Sequence, residues 1–315
     1  MKLAAAFFKL VRWPNLVIIA LTQILFYFSL VEPLYHKGIN THFSSVHFLL
    51  LIIASVLIAA AGYIINDYFD LNIDQVNKPE KLVIDKLIKR RWAIVQHIAF
   101  SLLGILISFY IDLRSHTYWL GLINFVCVFL LFGYSITLKK KLLIGNVLIS
   151  ALTAWVIIVC FLCYYNSFYC TTCDPTFLEA YNRRFIRISF LYAGFAFVIS
   201  LIREVVKDME DMDGDARYGC KTMPIVWGIP ASKVFVAVWL LVLIGTLAVV
   251  QFYVLQLGWL WSAVYCIALT ILPLIWVLRK LFKAQVAADY HQLSTIIKFI
   301  MLAGLSSMIF FKIYS

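Results

Sequence analysis

The chain has 315 residues, 63% of them hydrophobic and only 14% charged, with a net charge of +11; a soluble domain carries roughly 25% charged residues. That balance excludes a soluble globular enzyme and a disordered, solvated chain. The basic excess does not require a nucleic-acid partner, because most of it falls on one predicted face of a membrane, where it suits anionic lipids and anionic substrates.

The apolar residues form long runs without alternation, which predicts helices rather than barrel strands. Nine spans follow in chain order: 14–32, 45–66, 94–111, 117–138, 142–165, 185–206, 231–253, 258–278 and 291–313. The first opens at Arg12, Trp13 and Pro14, an interfacial helix start. Taking the N-terminus and every second loop as one side gathers 20 of the 27 Lys and Arg residues there, so that side is expected to be cytoplasmic. The expected architecture is all-α: one integral-membrane domain over 1–315, nine helices around a central cavity, with two pseudo-repeats.

The second span ends in "NDYFDLNID", residues 66–74. Asp67, Asp70 and Asp74 stand at i, i+3 and i+7, one face of a helix. After the fourth span comes "FGYSITLKKK", with Tyr134 and Lys139. The next loop, expected outside, holds Cys170 and Cys173 as "CTTC", which could be two thiols, a disulfide or part of a metal site. The sixth span ends in "REVVKDMEDMDGD". There Asp208, Asp211 and Asp215 repeat the first spacing, each 141 residues after its counterpart. Like charges at helical spacing repel, and burying them near a bilayer is costly. Six carboxylates at two equivalent span ends therefore call for a cation. Oxygen donors in such groups suit Mg²⁺, which shares its shell with substrate phosphates, and two such ions would clamp a diphosphate. Lys78, Lys81, Lys139, Arg203 and Lys207 are candidate phosphate partners, with Asn66 supporting the first carboxylates. Pro79 and Pro224 are expected to stop helical segments, and Gly214 to permit a turn.

These motifs resemble those of the UbiA superfamily of intramembrane prenyltransferases. "NDYFDLNID" matches N-D-x-x-D-x-x-x-D, and "DMEDMDGD" is similar to D-x-x-D-x-x-G-D. "NKPEK", "REVVKDMEDMDGD" and "KTMPIVWG" resemble the digeranylgeranylglyceryl phosphate synthase branch. "RWPN" resembles the superfamily's R-P-x-N, with Asn15 matching. The resemblance implies a nine-helix ring with a cytoplasmic polar cap and a Mg²⁺-dependent transfer of a prenyl group from its diphosphate to a polar acceptor. In that branch the donor is geranylgeranyl diphosphate and the acceptor geranylgeranylglyceryl phosphate. It implies Asp67, Asp70, Asp74, Asp208, Asp211 and Asp215 as metal ligands, and Asp67, Asp70, Asp208, Asp211 and Lys139 as the catalytic set. Asn15, Asn66, Lys78, Lys81, Tyr134, Arg203 and Lys207 would bind substrate. A second phosphate, on the acceptor, would fall to Lys78, Lys81 or Arg12. Lys81-Leu82 stands where the branch has Arg-Pro, "VIDK" where it has I-P-S-G, and Asp213 where it has Glu.

Three other functions compete. An aromatic quinone precursor could be the acceptor and would be alkylated on carbon. A cation transporter also uses intramembrane carboxylates, but near mid-span, whereas these six lie at span ends. "DGDAR" resembles the opening of the CDP-alcohol phosphotransferase motif without its later aspartates.

Overall fold

The computed structural model describes residues 2–35, 39–77, 83–115, 117–165, 167–169 and 175–314. Eight of its helices are long and apolar enough to cross a membrane: Trp13–Val31, Ser45–Asn77, Arg90–Ser115, Ile144–Tyr165, Glu179–Glu210, Gly228–Gln256, Leu260–Lys283 and Ala287–Ile313. A shorter apolar helix, Leu120–Ile136, lies fourth in this order. With it, all nine expected spans have a helix, numbered first to ninth below. The chain is an integral-membrane protein.

The helices form a closed circuit. The first packs on the second, the second on the third and fourth, the fourth on the fifth, and the fifth on the sixth. The sixth packs on the seventh and ninth, the eighth lies between those two, and the ninth returns to the first. Lipid supplies no hydrophobic drive between such helices, so packing and buried polar contacts hold them. Gln23 of the first helix donates to Ser55 Oγ of the second at 3.0 Å and to the Val156 carbonyl of the fifth at 3.3 Å. Asn124 donates to Ser108 at 2.8 Å between the third and fourth.

The two ends of the circuit differ. At one end Phe26, Phe43, Phe48, Tyr164 and Phe185 form a buried aromatic plug. A two-residue antiparallel pairing of Asn40–Thr41 with Phe168–Tyr169 lies beside it. At the other end the amphipathic helix Lys2–Leu10 lays Ala6 and Leu10 against Ala60, Ile64 and Leu71 of the second span. Val83, Ile84 and Ile88 complete this apolar layer. The "VIDK" stretch thus builds a tight turn, with Asp85 at φ 65° and its carboxylate 2.6 Å from Arg90.

Two expectations about the second motif are corrected. Pro224 does not stop a helix; it sits in the first turn of the short helix Met223–Val226, where a missing N–H costs nothing. Gly214 makes no turn of its own, since it lies within the short helix Met212–Arg217. Its smallness serves a close approach instead, because a Cβ there would overlap the Asn77 amide.

Candidate active site

The second helix runs unbroken from Ser45 to Asn77, so Asp67, Asp70 and Asp74 share one rigid element as the spacing requires. The second motif departs from a single helical face. The sixth helix ends at Glu210, the backbone bends at Asp211, and Asp215 continues on Met212–Arg217. Asn77 ties this bend to the second helix. Its amide donates to the Asp211 carbonyl at 3.0 Å, and its oxygen accepts from the Gly214 N–H at 2.8 Å. The two motifs consequently meet at the end of the circuit away from the aromatic plug.

Asp70 is the centre of the first cluster. Lys139 Nζ donates to one carboxylate oxygen at 2.5 Å, and Asn66 Nδ2 to the other at 2.8 Å. Lys139 also reaches Asn66 Oδ1 at 3.4 Å. The pair is largely shielded, with Lys139 10% and Asp70 17% exposed. Lys139 is delivered by the short 3-10 turn Leu138–Lys140 that follows the fourth helix. Asp67 is held by Arg12 Nη2 at 2.6 Å, and the Arg12 guanidinium lies 5.2 Å from the Tyr63 ring centre. Arg12 adopts left-handed backbone angles, φ 52° and ψ 52°, a conformation costing about 1–3 kcal/mol in a non-glycine residue. It links the amphipathic helix Lys2–Leu10 to the first span and places its side chain on Asp67.

On the facing side, Asn146 donates to Asp208 Oδ2 at 2.8 Å. Glu204, one turn earlier, accepts from Arg203 at 2.9 Å and from Lys207 at 3.5 Å. Tyr134 packs beside Gly145 at the start of the fifth helix, next to the turn that carries Lys139. Asp74 feels Asp70, Asp67 and Asp211. Asn15 accepts from Lys298 Nζ at 2.5 Å.

The structure therefore brings together the six aspartates, Asn66, Tyr134 and Lys139, with Asn15, Arg203 and Lys207 on the adjoining wall. Lys78, Lys81, Cys170 and Cys173 lie outside the described residues. Arg12, expected beside an acceptor phosphate, instead pairs with Asp67. Asn146 and Lys298 lie outside the quoted motifs, whereas Asn77 opens "NKPEK" and Glu204 follows Arg203 in "REVVKDMEDMDGD" without either motif assigning it a role.

Asp215 tests whether these residues suit a cation. Its carboxyl is pushed up to about 7, first by burial and then by Asp211 and Asp70, against the pull of Lys139. Crowded carboxylates that resist ionising together are what a divalent cation relieves. The donor chemistry fits: hard oxygens from two facing helix ends. Among the described residues, no three acidic, His or Cys side chains stand close enough to hold one ion together; Asp67, Asp70 and Asp208 are turned toward Arg12, Lys139 and Asn146.

Residues 38–302 match the UbiA prenyltransferase family. The chain belongs to that family. It is 33% identical over 194 residues to the digeranylgeranylglyceryl phosphate synthase of Methanothermobacter thermautotrophicus, covering 61% of this chain and 60% of that protein. It therefore spans about three fifths of that relative's length. The synthase of Sulfurisphaera tokodaii is 30% identical over 80% of this chain and 83% of its own. Among solved structures, one from work on digeranylgeranylglyceryl phosphate synthase in membranes has a TM-score of 0.59 at 22% identity, covering 98% of this chain and 99% of that one. A UbiA homologue from Archaeoglobus fulgidus, bound to DMAPP and Mg²⁺, has a TM-score of 0.54 at 15% identity, covering 96% and 98%. At these identities the likeness to solved structures establishes the fold.

Proposed function

We propose that this protein transfers a geranylgeranyl group from geranylgeranyl diphosphate to the free hydroxyl of geranylgeranylglyceryl phosphate, at the cytoplasmic face of the membrane. The observation that carries the chemistry is the convergence of two aspartate motifs on one shielded cluster that also contains Lys139. The acceptor rests on the relatives named digeranylgeranylglyceryl phosphate synthase and on the "NKPEK" and "KTMPIVWG" segments.

Asp67, Asp70 and Asp74 would hold one Mg²⁺, and Asp208, Asp211 and Asp215 a second. Bound there, the metal supplies charge neutralisation of the leaving diphosphate. Lys139 and Arg12 are cations already directed into the site, placed to turn from the carboxylates toward diphosphate oxygens. Asn66 and Asn146 fix the rotamers of Asp70 and Asp208. Tyr134 would donate its hydroxyl to the same oxygens. The C1–O bond of the donor breaks, and its electron pair leaves with the diphosphate. The acceptor hydroxyl oxygen forms the new bond to C1, and its proton passes to the released diphosphate. Water is kept from the allylic cation by the apolar helices around it. The cytoplasmic side follows from the Lys and Arg bias of the loops.

Diphosphate release from geranylgeranyl diphosphate in the presence of acceptor checks the metal chemistry. Release is expected to stop in EDTA and return with Mg²⁺. A rate unchanged by EDTA would remove the metal from the proposal, and absence of release under all conditions would point to the transporter alternative.

A further inference from the structure

Lys298 lies about three turns into the ninth span, half-buried. A lysine at such a position is costly and ordinarily faces a carboxylate. Here its hydrogen bond goes to a neutral group, Asn15 Oδ1. The charges that bear on it are Arg203, Arg12 and Lys207, all positive. Arg12 pairs with Asp67, Arg203 and Lys207 share the single carboxylate of Glu204, and Lys298 has no ion pair among the described residues. Arg203 supplies a separate sign of a missing anion, because its Nε is buried and has no hydrogen-bond partner among the described residues. Guanidinium N–H groups left in that state cost free energy until an acceptor arrives.

The neighbourhood is tied into one wall. Asn15 of the first span holds Lys298 of the ninth. Tyr63 lies under Arg12 and within the fields of Arg203 and Glu204. This wall draws on the first, second, sixth and ninth spans. Asp70, Asp74, Asp211 and Asp215 crowd one another, and this acidic group repels any anion that arrives without a cation.

We propose that Lys298, with Arg203 and the Asn15 amide, forms an anion subsite for the phosphomonoester head of the acceptor, distinct from the aspartate clamp that takes the donor diphosphate. It rests on the acceptor proposed above. A phosphomonoester carries about −1.5 to −2 at neutral pH, enough to answer Lys298 and the unpartnered Nε of Arg203 together. The division of labour is electrostatic: the bare phosphate is attracted to the basic wall and repelled by the acidic one. Lys298 is a specificity-determining residue here. It joins Lys78, Lys81 and Arg12 as a candidate phosphate partner.

The test compares Lys298→Met and Lys298→Arg with the wild type, using geranylgeranylglyceryl phosphate and its phosphate-free analogue geranylgeranylglycerol. Lys298→Met is expected to raise the acceptor KM for the phosphorylated substrate by about 10- to 100-fold, the scale of a charge-assisted hydrogen bond. The KM for geranylgeranyl diphosphate stays within about twofold, and Lys298→Arg restores most of the loss. With the phosphate-free acceptor the wild type and Lys298→Met behave alike, because the interaction is already gone. An equal loss on both acceptors, or a Lys298→Met enzyme with unchanged acceptor KM, overturns the subsite while leaving the overall reaction standing. A wild type that consumes donor but never alkylates the phosphorylated acceptor overturns the acceptor assignment, and the subsite with it.

Discussion

Asp70→Ala is expected to lower prenyl transfer by at least about a thousandfold while the protein still inserts and folds. Three effects coincide at this residue. A proposed metal ligand is removed, Lys139 loses the carboxylate 2.5 Å away, and Asn66 loses its acceptor at 2.8 Å. A thousandfold corresponds to about 4 kcal/mol of transition-state stabilisation, within reach of one metal's contribution to a leaving group. Asp208→Ala should behave alike, since it opens the facing cluster at Asn146. Initial rates of diphosphate release, with detergent-solubilised protein checked by size-exclusion chromatography, read both variants. A well-folded Asp70→Ala protein with near wild-type turnover would show that the aspartates serve packing rather than catalysis.

Lys139→Met should be the second severe variant, with kcat down by about 10²- to 10³-fold, the scale of one lost anion-stabilising donor. The methionine keeps the stem and its packing, so the lost element is the charge. Asp70 is then left shielded without its cation, and breaking such a pair from one side costs about 3–5 kcal/mol. A lower melting temperature should therefore accompany the lower rate. Lys139→Met,Asp70→Ala should be less destabilised than the sum of the single variants, because the double change leaves no orphaned charge. If Lys139→Met lost stability but kept kcat, Lys139 would be a structural counter-ion only.

The chemistry of the site was written in the chain more openly than its architecture. Asp67, Asp70 and Asp74 could be read from spacing alone, because one uninterrupted helix converts i, i+3 and i+7 into a face. The repeat at Asp208, Asp211 and Asp215 carried the same information, but not the bend at Asp211. That bend depends on Asn77, which lies 134 residues away in sequence and bonds across the two motifs. Gly214 shows the limit well: a glycine in a motif suggests a turn, whereas here it gives room to the Asn77 amide. The nine spans were legible because lipid permits so few alternatives. The second and sixth helices run past their apolar segments, since each carries its aspartates beyond the hydrocarbon. Of the partners, Asn146 had no local signature, and Glu204 sat within the second motif without a role assigned to it. Lys298 alone left a trace, as a lysine inside an apolar run, but its meaning required knowing that Asn15, Arg12 and Arg203 stand beside it.

Product identity tests the central claim most directly. The purified protein, Mg²⁺ and geranylgeranyl diphosphate would be incubated in parallel with geranylgeranylglyceryl phosphate, 4-hydroxybenzoate, 1,4-dihydroxy-2-naphthoate or homogentisate, and the products read by mass spectrometry. Formation of the diether phosphate as the dominant product is the expected result. A prenylated aromatic as the dominant product would contradict the account, keeping the aspartate clamp but removing the glycerophosphate acceptor.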